Sequence, residues 1–514
     1  MTEGPQRGSG TRWAAPGLGL VTGLYYWWAW GSTLRALPVV QDEAAYLLQA
    51  KIFASGHWTA PPPPLPAFFE QFHVLLTPVV AAKFPPGHSL ALVPGVLLGL
   101  PGLMPVLLSA LAGALVFVLA RRVADAGVGL LTWAIWLGCS GNLGWRPGYY
   151  SEVTTSALGL MAWWALLRWR EGRGRGWLLV VAGCIGWAAD TRPLTALVFA
   201  VPVAYVVLKE VGRRRSWGEL ALGMLAGTLV LGLTPLWSAE TTGSWRRSPR
   251  AVYTAAYMPW DRLGFGLDTT PATRPLPPEL SALAGYFEDI HEGYTPAAAP
   301  AALLERARSV AASAWSGWRL PLALFALAGV FFLPPAGLVA LATLLLQLEA
   351  HAVYAHKATW AVYYLEVLPV AAFLSALGLS GLARRALRDD PRVAASPARR
   401  SVVLAGVLAL AMVALSIGDG ARARRERLRE TRGPLALRQA LATIPEPRAM
   451  VFLRFSLRFD PYFNLVSNEP FPDRQRIWVV HDLGSRNAEL VRAAPDRAPY
   501  LFDEESGRLS RLER

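Results

Sequence analysis

Long apolar runs alternate with short arginine-rich clusters along most of this chain, and that alternation predicts membrane-spanning helices. About 20 apolar residues are enough to cross a hydrocarbon core. Backbone groups in lipid must bond within their own segment, so each run becomes a helix. The runs predict spans near 17–37, 103–120, 127–143, 153–169, 177–190, 193–208, 218–237, 319–333, 336–350, 362–383 and 401–418. The stretch 88–101 is interrupted by Pro94, Gly95 and Pro101. It reads as a re-entrant or surface-lying segment.

Loop charge chooses this count of eleven. It places Arg121-Arg122, Arg168 to Arg175, Lys209 to Arg215 and Arg384 to Arg400 on one side, together with Arg7 and Arg12 near the N-terminus. Basic clusters of this kind mark the cytoplasmic side. Arg422 to Arg432 resists the scheme, because it would lie outside. The charge rule binds long terminal domains only weakly.

The fold class expected is therefore an all-α polytopic membrane protein with a small C-terminal α/β domain. The transmembrane part covers 1–418, with external loops at about 38–102 and 238–318. An extracytoplasmic domain covers 419–514. It begins with an amphipathic helix and continues with β-like runs at Ala449 to Phe455 and Ile477 to Val480. The expected location is the plasma (inner) membrane of a bacterium, with a cytoplasmic N-terminus.

Composition agrees. The 514 residues are 53% hydrophobic and only 17% charged, against roughly 25% charged in soluble proteins. The net charge of +14 sits at the ends of apolar runs, where it faces anionic lipid, so nucleic acid is not the expected partner. Cys139 and Cys184 both lie inside apolar runs and read as packed core residues.

Candidate chemistry concentrates in the first external loop. Asp42 and Glu43 stand just past the first span, before a helical run from Ala44 to Ala54. One reading makes Asp42 a helix N-cap with Glu43 in the first turn. The other makes the pair a base or a metal-facing acid held at the bilayer surface, and both can hold together. Further on comes Lys83-Phe84-Pro85-Pro86-Gly87-His88. A turn starting an interfacial helix explains its prolines, but not Lys83, one of four lysines.

These residues carry a resemblance. An acidic pair after the first span, then Lys-x-Pro-Pro and an interfacial apolar segment, resembles the GT-C superfamily, in its protein O-mannosyltransferase and aminoarabinose-transferase branch. Tyr149-Tyr150-Ser151-Glu152 stands where that family has an acidic residue in its second external loop. His356-Lys357, Tyr363-Tyr364 and Pro369 resemble its late lysine/arginine–tyrosine–proline segment. Phe84 departs from a direct Lys-Pro-Pro, and Glu152 from the more usual Asp.

The resemblance implies a glycosyltransferase that moves a sugar from a polyprenyl-phosphate donor to a glycan, lipid or protein acceptor on the extracytoplasmic face. Asp42 would be the base, with Glu43 and Glu152 orienting the acceptor or joining it around a divalent cation, Mg²⁺ or Mn²⁺. Lys83, Arg192 and Lys357 would face the donor phosphate. Asp190 and Arg192 could equally be paired and shape a turn between two spans. Trp145, Tyr149, Tyr150, Tyr253, Tyr257 and Trp260 read as interfacial aromatics or as stacking surfaces for sugar. His351 and His356 are five apart and do not share a helix face for zinc. The alternative function is a transporter or flippase for a lipid-linked envelope precursor, although no internal repeat supports it.

Overall fold

The computed structural model describes residues 13–386 and 397–513. Arg7, Arg12 and most of the Arg384 to Arg400 cluster lie outside the described residues. The chain is mainly helical. Among the described residues, six helices are long and apolar enough to cross a membrane: Leu103–Val123, Pro193–Arg214, Trp217–Thr242, Pro335–Val353, Ala361–Ala386 and Val402–Glu430. A seventh results if Ala299–Trp315 and Gly317–Phe331, bent by 102°, form one span. The expected count of eleven thus rests on the charge pattern and not on helix length.

Lipid-facing character is visible on several of these helices. Met224, Leu229, Leu327, Phe331 and Leu410 are 64%, 69%, 68%, 90% and 71% exposed, as expected where the surrounding medium is hydrocarbon and not water. The opposite faces carry the core, with Trp136, Trp169 and Trp237 fully buried. Helix Leu322–Phe331 packs against Leu368–Ala386 through Gly329 and Gly378. A Cβ on either glycine would strike the other helix's backbone carbonyl, so the missing side chains allow the close approach.

The interrupted segment after Lys83 forms helix Gly87–Leu97, with Pro94 inside it. Eleven residues extend about 16 Å, roughly half the hydrocarbon thickness.

Three of the basic clusters meet at one end of the bundle. Arg122 pairs with Glu171, and Arg214 donates to the Arg170 carbonyl at 2.6 Å. Arg384 joins them by pairing with Asp125. Helix Pro193–Arg214 carries Arg192 at its other end, about 33 Å away.

The two long loops and the tail gather at that other end. The loops contribute a two-stranded hairpin, β1 (Val74–Leu75) and β2 (Ala81–Ala82). The tail folds as a four-stranded sheet of β3 (Ala449–Arg454), β4 (Ile477–His481), β5 (Ala498–Asp503) and β6 (Arg508–Arg511). The sheet order is β4-β3-β5-β6, with β3 parallel to both neighbours and β6 antiparallel to β5. The β-like runs of the sequence become β3 and β4. Met450, Phe452, Trp478 and Val480 of the tail pack in one apolar cluster with Ala45, Leu48, Phe68 and Phe69 of the first loop.

The long helix Pro397–Glu430 runs straight through residue 418, where the sequence suggested a boundary, and carries the anomalous basic stretch to the first loop. Three of its arginines find partners nearby. Arg427 bonds Glu43, Arg424 donates to Ser32 at 2.8 Å, and Arg422 pairs with Asp419 at 2.9 Å. Local carboxylates and backbone oxygens thus satisfy charges that the loop-charge pattern disfavours.

Candidate active site

Asp42 is not the N-cap of its helix. Val40 occupies that position, and the helix runs Gln41–Ala54. Glu43 does the capping instead, its Oε2 accepting from the backbone N–H of Val39 at 2.8 Å and of Val40 at 3.3 Å. Its Oε1 accepts from the Tyr149 N–H at 3.0 Å. Arg427 donates to both oxygens, at 2.7 and 2.9 Å. Glu43 is fully buried and has no lone pair to spare. This frees Asp42, one residue earlier, to face elsewhere.

It faces a cavity of about 420 Å³. Asp42, Lys83, Glu152 and Arg192 all line it, although 150 residues separate the first from the last. Glu43 and Lys357 do not. Lys357 is exposed and lies 4.3 Å from the Tyr286 ring centre.

Asp42 keeps 39% of its side chain accessible, and its Oδ1 lies 2.8 Å from Nε2 of His73. Burial acts to raise the Asp42 carboxyl, but His73, Lys83 and Arg192 outweigh it and hold it below the usual range. Burial and then Lys83 push the His73 imidazole down, against the pull of Asp42. A neutral His73 donating Nε2–H to Asp42 satisfies this geometry, and Nδ1 is left without a partner. The His73 backbone sits at φ 70°, a conformation unfavourable for a side-chain-bearing residue. Its N–H is held by the Tyr253 hydroxyl at 2.9 Å.

A cationic wall stands beside this pair. Lys83 is 5% exposed, with Nζ 3.2 Å from Asp261 Oδ2 and 5.0 Å from the Tyr253 ring centre. Arg250 reaches the other oxygen of Asp261 at 3.3 Å. Burial pulls Lys83 below its ordinary range while Asp261 opposes that shift. Burial would raise Asp261, but Lys83 and Arg250 hold it well below the carboxylate range. Two cations, Lys83 buried and Arg250 partly open to the cavity, thus share one counter-ion, leaving one positive charge in excess.

Arg192 forms the third cation. It pairs with Glu152, approaches Glu366 at 3.9 Å and lies 5.4 Å from the Tyr363 ring centre. It does not pair with Asp190, whose Oδ1 accepts from the Thr234 hydroxyl and N–H at 2.5 and 3.2 Å. Of the aromatics singled out by sequence, Trp145, Tyr150 and Trp260 line the cavity. Tyr253 lies beside Lys83, Tyr257 donates to Glu70 at 3.1 Å, and Tyr149 donates to the Ala36 carbonyl at 2.8 Å. Phe84, the departure from Lys-Pro-Pro, stacks on Tyr46 with ring centres 4.5 Å apart.

The tail also reaches the site. Tyr462 lines the cavity, on a segment that pairs with the chain just before Asp42. Asn464 N–H donates to Val39 O at 2.8 Å, and Gln41 N–H to Tyr462 O at 3.3 Å. His73, Arg250, Asp261, Glu366 and Tyr462 had no signal in the sequence, since each belongs to a segment without a recognisable motif.

Of the carboxylates named for a divalent cation, Asp42 and Glu152 line the cavity and Glu43 does not. Glu43 is saturated by Arg427 and three N–H groups, Glu152 is occupied by Arg192, and Asp42 by His73. Among the described residues, no group of three His, Cys, Asp or Glu side chains gathers in a metal-holding arrangement. His351 and His356 bond Gln347 O at 3.0 Å and the Tyr364 hydroxyl at 2.9 Å instead.

Compared with solved structures, the chain is similar to ArnT from Cupriavidus metallidurans bound to undecaprenyl phosphate, at a TM-score of 0.53 and 16% identity. The match covers 97% of this chain and 91% of that one. The apo state of ArnT matches at 0.52 and 16%, over 95% and 89%. An apo oligosaccharyltransferase from Archaeoglobus fulgidus gives only 0.43 at 13% identity, over 89% and 64%, too remote to build on. No protein-family model matches the chain, and no curated protein matches it significantly. The chain therefore shares the fold of ArnT. At 16% identity, the likeness to ArnT defines the fold and not the reaction.

Proposed function

We propose that the protein transfers a sugar from a polyprenyl-phosphate donor to an acceptor at the extracytoplasmic face of the membrane, with inversion at the anomeric carbon. The observation that carries the reading is one cavity holding an accessible carboxylate, Asp42, beside the buried cation Lys83, with the exposed Arg250 on the same counter-ion. ArnT, similar in fold, is a structure with a polyprenyl phosphate bound.

The acceptor's lone pair forms the new bond to the anomeric carbon. The bond from that carbon to the phosphate oxygen breaks, its electrons leaving on the phosphate. Asp42 takes the acceptor's proton, in the role of general base. A single displacement with base and leaving group on opposite faces inverts the centre, by analogy with inverting glycosidases. The lipid phosphate leaves without a strong acid but needs fixed positive charge. Lys83 supplies it, with Arg250 and Arg192 adding to the field. Each such oriented group in a dry site is worth about 3–4 kcal/mol. The base is available at neutral pH because Asp42 stays ionised. The cytoplasmic N-terminus, the eleven spans and the plasma membrane location belong to the same proposal.

The test is a transfer assay with purified protein and a panel of polyprenyl-phosphate sugars, comparing wild type with Asp42→Asn. Release of polyprenyl phosphate by wild type and its loss in the nearly isosteric variant support the reading. Lipid translocation without turnover would replace it with a transporter.

A further inference from the structure

The helices that frame the cavity enclose a second space at their far ends. It is a narrow slot of about 70 Å³. Its walls are apolar, with Leu119, Leu160, Trp163, Val370 and Phe373 among them. Thr132 and Arg170 are the polar side chains in the lining. The Thr132 hydroxyl is already spent on the Val128 carbonyl at 2.7 Å. A space of this volume takes a few methylene groups of a hydrocarbon chain. From Leu160 to Arg170 it follows ten residues of one helix, about 15 Å into the bundle.

The slot opens into a polar vestibule of about 500 Å³ lined by Arg122, Arg170, Glu171, Glu210 and Arg213. Val123, Leu167, Arg170 and Ala336 belong to both linings. Arg122 pairs with Glu171 and Arg213 with Glu210. Among the described residues, no carboxylate pairs with Arg170. One uncompensated cation therefore stands where an apolar slot meets a wet mouth. This mouth is not part of the cavity at Asp42. Arg170 ends the helix whose first turn carries Glu152, 18 residues and about 27 Å away.

We infer that the slot holds a segment of one acyl chain of an anionic phospholipid from the surrounding bilayer, with the lipid phosphate on Arg170. Basic pockets between helices on the side of the positive clusters recognise anionic headgroups. A chain in the slot makes dispersion contacts that empty space forfeits. The inference stands independently of the reaction proposed at Asp42.

The experiment is native mass spectrometry of the detergent-purified, delipidated protein titrated with phosphatidylglycerol or phosphatidylcholine. Wild type is expected to retain one phosphatidylglycerol in preference to phosphatidylcholine. Arg170→Gln, an exposed change, is expected to weaken that binding roughly fivefold, the worth of one basic side chain near an anionic headgroup. Ala340→Leu, which fills the slot, is expected to weaken both lipids. Equal retention of the two lipids by wild type, or unchanged phosphatidylglycerol binding in Arg170→Gln, overturns the inference.

Discussion

His73 Nε2 stands 2.8 Å from Asp42 Oδ1, so the proposed base is held by a residue 31 positions away in the same loop. The imidazole keeps 11% of its surface, and its charge is suppressed by desolvation and by Lys83. It therefore acts as a hydrogen-bond donor that favours the ionised carboxylate.

That arrangement sets the pH dependence of turnover. Asp42 is lowered, so activity that needs its ionised form falls only when pH drops through a value below the ordinary carboxylate range. His73→Phe removes the donor and is expected to move the acid limb of kcat/KM upward in pH, with turnover cut about tenfold or more. A pH–rate profile of both proteins checks the shift. An unmoved limb would leave His73 with a structural role only.

Lys83→Ala is expected to lower kcat/KM for the lipid-phosphate donor by about 10²–10³. It also leaves Arg250 on Asp261, with His291 4.0 Å away, so the fold should persist. Steady-state kinetics with varied donor provide the readout, and unaltered kinetics would assign Lys83 to the turn alone.

The Glu43–Arg427 pair ties the C-terminal helix to the first loop. Removing one partner of a buried pair costs about 3–5 kcal/mol. Arg427→Met should therefore lower the melting temperature clearly, and adding Glu43→Leu should recover none of it, because that change leaves the N–H groups of Val39, Val40 and Tyr149 without their acceptor. A double-mutant cycle on thermal unfolding measures this coupling.

Glu70 offers a second pH effect, away from the cavity. Burial raises its carboxyl to about 7, against the hydrogen bond from Tyr257 and the nearby His481 and Arg274. The folded protein thus holds a proton that the unfolded chain releases near its ordinary value of 4.5. The associated stability is full below about pH 4.5 and is lost as pH rises through 7. Glu70→Gln should flatten the melting temperature between pH 5 and 8 and raise it at pH 8. The tail should feel the change, because His481 of β4 bonds the Glu70 carbonyl at 2.7 Å.

The sequence by itself determined the membrane class, several of the long apolar helices, the two tail strands at Ala449 and Ile477, and the loop that carries Asp42 and Lys83. Those features follow from local rules, since apolar length, the period of a strand and loop charge are read within a window of residues. Asp42, Lys83, Glu152 and Arg192 were also legible, because each sits beside a span end where a charge stands out. Only the tertiary structure decided which of them share a cavity. It turned Glu43 inward as a cap for its own helix and a partner for Arg427, left Lys357 on the surface against Tyr286, and brought in His73, Arg250, Asp261 and Tyr462 from loop and tail. Their meeting depends on how distant segments pack. A carboxylate's role is set by the charge and hydrogen bonds that reach it across hundreds of residues, and no local pattern records those.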